Sequence, residues 1–144
     1  MPHAYADAAA FRAHRPENDL RELSDPELDA VDDARLDRAL EAASAEIDGW
    51  LGGRYATPVE PVPHTLTIAA MDIAFYRLQL SVAASPSEAA RQQYVDWRSY
   101  FGKVASGAMD LPTPDETPSA VSAASEVLFD GPAQTFTRAG MRGF

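Results

Sequence analysis

The sequence predicts an all-α fold: a small bundle of three long helices plus a short N-terminal helix, followed by an extended C-terminal arm. Two observations carry this. Segments at about residues 32–52, 65–83 and 86–107 repeat apolar side chains at spacings of three and four, the period that lays a single stripe along a helix. Beyond residue 108 that period stops, and prolines and small residues take over.

The elements follow in order. Residues 4–14 are Ala-rich, with Tyr5, Ala8 and Phe11 three apart, so a short helix is expected there until Pro16 stops it. Residues 17–33 mix scattered acids with Pro26 and a few leucines, which reads as an irregular connection pinned to the core by Leu20, Leu23 and Leu28. From Asp33 onward Leu36, Ala39, Leu40, Ala43, Ile47, Trp50 and Leu51 recur at spacings of three and four, and Asp32 or Asp33 suits the N-cap because a carboxylate there accepts from free backbone N–H groups. Gly52 or Gly53 is expected to close this helix in the left-handed conformation. The prolines that follow make a rigid corner, and the chain returns as a helix apolar on nearly every face, hence the central one. The last long helix carries Ala90, Tyr94, Trp97, Phe101 and Val104 on one side, with Ser85 as its expected cap and Gly107 as its stop. Residues 1–108 are therefore read as a helical domain, and residues 109–144 as an extended arm ending in a docking peptide.

At 144 residues and net charge −10 the chain fits one domain with appendages. The acidity is lopsided: residues 1–50 hold 13 acidic and 5 basic side chains, which disfavours gripping a phosphate backbone but suits a passage through which DNA slides. The absence of cysteine removes disulfides, thiolate catalysis and Cys-ligated zinc. No stretch approaches the apolar length of a membrane span, and the start lacks the pattern of a secretion signal, so a soluble protein without membrane partners is expected.

The acids at Asp25, Glu27, Asp29, Asp32 and Asp33 depart from a calcium loop, which needs glycine and glutamate where this chain has Ala30 and Leu36, so no metal and no cofactor is expected. Asp48 and Asp72 are carboxylates in apolar surroundings, but His3, His14 and His64 form no recognisable pairing with them, and no catalytic residue is assigned. Gly52-Gly53-Arg54 ends a helix, whereas a phosphate loop begins one, so it reads as architecture. The expected structural corner comprises Trp50, Gly52, Gly53, Arg54, Tyr55 and Asp72: Trp50 and Tyr55 pack around the bend, and Arg54 is free for Asp72 or a neighbouring subunit. At the C-terminus Phe136, Met141 and Phe144 alternate with Arg138 and Arg142, residue types that dominate interface hot spots, which marks a partner-binding peptide.

The acidic LSDPELDAVDDARLDRAL, the helix-corner segment ASAEIDGWLGGRYATPVEPVP, the following IAAMDIAFYRL and the terminal TFTRAGMRGF together resemble the Mu-type phage neck proteins, small helical head–tail connectors. Many relatives carry an Asp- and Gly-rich turn where this chain has SDPELDAVDD, and the missing glycine argues further against metal binding. The resemblance implies a non-enzymatic adaptor that forms a dodecameric ring beneath the portal protein, extends the DNA channel and offers a surface to the next neck or tail-completion protein. It implies that DNA passes without specific binding, and that the protein occupies the virion neck after assembly in the host cytoplasm. It also implies that Phe136, Arg138, Met141, Arg142 and Phe144 reach the portal or a neighbouring subunit. Two other readings stay open on the residues alone: a non-viral adaptor docking a regulatory partner through the same peptide, and a metal-dependent hydrolase using the acids of residues 25–37.

Overall fold

The computed structural model describes residues 3–24, 27, 30–82 and 85–112, and these form an all-α bundle of five helices: α1 (Ala8–His14), α2 (Glu17–Ser24), α3 (Asp33–Leu51), α4 (His64–Ser81) and α5 (Glu88–Ala105). The three long helices fall where the apolar period puts them. Of the α3 stripe, Leu36, Leu40, Ala43, Ile47 and Leu51 are fully buried, against α4 and α5, while Ala39 and Trp50 are partly buried at its edges. In α4 burial extends around the helix, from Leu66 through Ala69 to Phe75 and Leu78, and the helix touches α2, α3 and α5, as an all-round apolar helix must if its surface is to leave water.

Helix ends follow local chemistry. Asp32 caps α3, its carboxylate accepting from the backbone N–H of Ala34 and Arg35. Gly107 stops α5 at φ +85, where the N–H of Ala108 reaches the carbonyl of Lys103 and that of Gly107 reaches Val104, the paired bonds of a Schellman ending.

Several expectations are corrected. The first helix begins at Ala8 rather than residue 4, because Asp7 caps it and Tyr5 lies in a bend ahead of it, with its N–H given to Ser44 Oγ at 2.9 Å. Residues 17–24 are not an irregular connection: they form α2, whose Leu20, Leu23 and Ser24 share the buried face. Gly52 is not left-handed, since at φ −60 and ψ −18 it continues the α turn, and the end is finished by Arg54 and Tyr55 N–H groups on the Leu51 carbonyl. The cap of α5 is Ser87 rather than Ser85, as its hydroxyl accepts from Ala90 N–H three residues on. Leu28 and the docking residues Phe136, Arg138, Met141, Arg142 and Phe144 lie outside the described residues.

Candidate functional site

Arg54 stands just past the end of α3, where the prolines turn the chain into α4, and it faces the end of α5. Its Nη1 donates to the carbonyls of Val104 at 2.8 Å and Met109 at 2.7 Å, and Nη2 donates to Asp110. The neighbouring Tyr55 hydroxyl accepts from Leu111 N–H at 3.1 Å, and the Arg54 guanidinium sits 5.2 Å from the Tyr55 ring. Buried Leu111 completes the attachment. A planar fork can satisfy several carbonyls at once, so this corner clamps the stretch from which the C-terminal residues depart. Trp50 supports the same joint, with its ring centroid 5.5 Å from Phe101 and 6.5 Å from Tyr94. The corner is thus stitched to α5 rather than folded upon itself.

The expected pairing of Arg54 with Asp72 does not form. Asp72 lies eight residues into α4, about 12 Å along its axis from the corner, beyond the reach of one arginine. Instead Oδ1 accepts from Arg15 Nη2 at 2.9 Å and from His14 Nε2 at 3.2 Å, while Oδ2 accepts from Trp97 Nε1 at 2.9 Å. Arg15 also donates to Gln93 Oε1 at 3.0 Å and stacks on Phe75 at 4.2 Å. One buried carboxylate therefore joins the α1–α2 junction, α4 and α5.

Asp48 plays the equivalent role for the N-terminal segment. It accepts from the Tyr5 hydroxyl and from His3 Nε2, at 3.0 Å for the latter, and the Tyr5 oxygen in turn accepts from Val59 N–H at 3.0 Å. Burial, and then the hydrogen bond to Asp48, push the Tyr5 hydroxyl pKa well above its ordinary value. A third junction joins Glu46 of α3, Arg77 of α4 and the Tyr94 hydroxyl of α5. Burial and the Glu46 contact raise Tyr94, and burial followed by nearby Tyr55 raises Tyr100.

Two of the three histidines do meet the singled-out carboxylates, contrary to the sequence reading, but in each case both carboxylate oxygens are engaged in joining elements. These charge-assisted bonds hold the helices in register. Sequence reasoning missed His3, Tyr5, His14 and Arg15 because their partners are 43 to 58 residues away. Their one local signal was position, since His14 and Arg15 directly precede the helix-stopping Pro16. Trp97 stacks on Phe101 at 5.9 Å, and Tyr100 meets both rings edge to face at 5.7 and 5.3 Å, packing the α5 aromatics against the core.

Compared with known proteins, the chain matches the family described as Bacteriophage Mu, Gp36, over residues 5–129. It is also similar to the Mu-like prophage FluMu protein gp36 of Haemophilus influenzae, 35% identical over 119 residues that cover 83% of this chain and 82% of that protein. The family match stops at Phe129, short of residues 136–144.

Proposed function

Because the chain belongs to the Bacteriophage Mu Gp36 family, we propose that it is a virion structural protein serving as a head–tail connector. Copies form a ring, dodecameric by likeness to related adaptors, beneath the portal protein. The ring extends the DNA channel and joins the head to the next neck or tail-completion protein. Its work is mechanical, without catalysis, in the virion neck, and DNA passes without specific binding, in keeping with the net charge of −10.

The observation that carries this reading is the clamp of Arg54 and Tyr55 on residues 104–111. A connector needs a rigid body that hands a partner-binding segment off from a fixed point, and this joint supplies such a point for a C-terminus bearing Phe136, Arg138, Met141, Arg142 and Phe144. Co-sedimentation of the purified chain with purified portal tests it. Binding that is lost on deleting residues 131–144 supports the connector role, and an intact chain that never sediments with portal refutes it.

A further inference from the structure

The two exposed flanks of α3 carry opposite charge. Taken at 3.6 residues per turn, Asp33, Asp37 and Glu41 fall about 130° around the helix from Arg35, Arg38 and Ala42, with the buried stripe between them on the inner side. Each flank borders a concavity. The acidic one, about 370 Å³, is lined by Asp7, Asp37 and Glu41 with Tyr5 as its apolar wall. The basic one, about 340 Å³, is lined by Arg35, Arg38 and Arg77 over Ala42 and Leu78.

The charges on the basic side are only partly spent. Arg77 is neutralised by Glu46. Arg35 donates to two uncharged oxygens, the Ser24 carbonyl and Ser81 Oγ, both at 2.9 Å, and among the described residues it has no carboxylate partner. Arg38 is exposed and has no hydrogen-bond or ion-pair partner among the described residues. One turn from Arg77, Leu80 is 51% exposed, the most open large hydrophobic among the described residues. On the acidic side Asp37 accepts Ala8 N–H and Asp7 caps α1, while Glu41 has no such partner among the described residues. A basic rim carrying free Arg38, and a carboxylate cleft on the other flank of the same helix, are complementary to each other but not to themselves.

We infer that the arginine flank of α3 docks into the acidic cleft of a second copy of this chain, with Arg38 of one copy entering between Asp7, Asp37 and Glu41 of the next. Two different complementary patches on one protomer make a heterologous contact, the kind that repeats around a ring or along a filament. The inference deepens the proposed function by giving its ring a lateral contact, and the test uses the chain without portal, so failure here is distinguishable from failure of portal binding.

Sedimentation velocity of the full chain over a concentration series is expected to show self-association that weakens with added salt, because the contact is charge-driven. Arg38→Glu and Glu41→Lys remove no internal hydrogen bond, and each alone is expected to weaken association at least about tenfold, with unchanged helix content by circular dichroism. Mixing the two variants is decisive. The intact acidic cleft of the first can take the intact arginine flank of the second, so the mixture is expected to associate where neither variant does alone. A wild-type chain that stays monomeric throughout, variants that associate like wild type, or a mixture that remains monomeric each overturns the proposal.

Discussion

Removing the Asp72 carboxylate is expected to cost the bundle about 3 kcal/mol, in the range for breaking a buried ion pair. The side chain is 2% exposed and accepts from Arg15, Trp97 and His14 at 2.9, 2.9 and 3.2 Å. Hydrogen bonds to a charged group contribute about 1.5–3 kcal/mol each, so three at full strength would exceed that figure. Two partners recover part of the loss from water, as the Arg15 and His14 side chains are 21% and 33% exposed. Arg15 also keeps Gln93 and Phe75. The substitution is Asp72→Ala, and the assay is urea unfolding of the full chain followed by circular dichroism, read as a shifted midpoint at unchanged slope. A double-mutant cycle assigns the partner. Asp72→Ala with Arg15→Met should couple by at least about 1 kcal/mol, whereas Asp72→Ala with Arg54→Ala should add within about 0.5 kcal/mol. A single-variant cost below about 1 kcal/mol, or coupling to Arg54 in place of Arg15, would refute the reasoning.

The corner clamp predicts that Arg54→Ala costs about 1–2 kcal/mol and that Tyr55→Phe costs less, with limited proteolysis newly cutting near residues 109–112; an unchanged digest counts against the clamp. Gly107→Ala forces a side chain into φ +85 and is expected to cost about 1–2 kcal/mol by thermal unfolding, with no cost meaning that the turn relaxes freely. Tyr5, Tyr94 and Tyr100 hold their protons more tightly when folded, so the unfolded chain ionises first as the solution becomes alkaline. Stability should be level up to about pH 10 and fall as pH rises further toward the folded-state values, followed by urea midpoints and tyrosinate absorbance; a flat profile through that range contradicts the buried hydroxyls. Ser87→Ala should cost about 1 kcal/mol and Ser85→Ala almost none, since only Ser87 caps α5.

Legibility differed by element for physical reasons. The stripe from Leu36 to Leu51 and the all-round apolar surface of α4 announce their helices, because burial of one face or every face writes itself directly into residue spacing. Asp32 and Gly107 were readable for the same local reason: a cap needs one carboxylate and a left-handed stop needs one glycine. Helix α2 was not, because its buried face rests on Leu20 and Leu23 amid charged neighbours, too few residues to establish a period.

The chain's own order of residues therefore decided the helical class, the three long helices, the all-round burial of α4 and the uneven charge, since each follows from interactions within a few positions or from composition alone. Who holds Asp72, what Arg54 clamps, and which flanks of α3 face solvent were settled only by tertiary packing. Arg15 and Asp72 are 57 residues apart, and Arg54 and Met109 are 55 apart. Over such separations many carboxylates and arginines are chemically equal candidates, and only the packing of buried helix faces selects which of them meet.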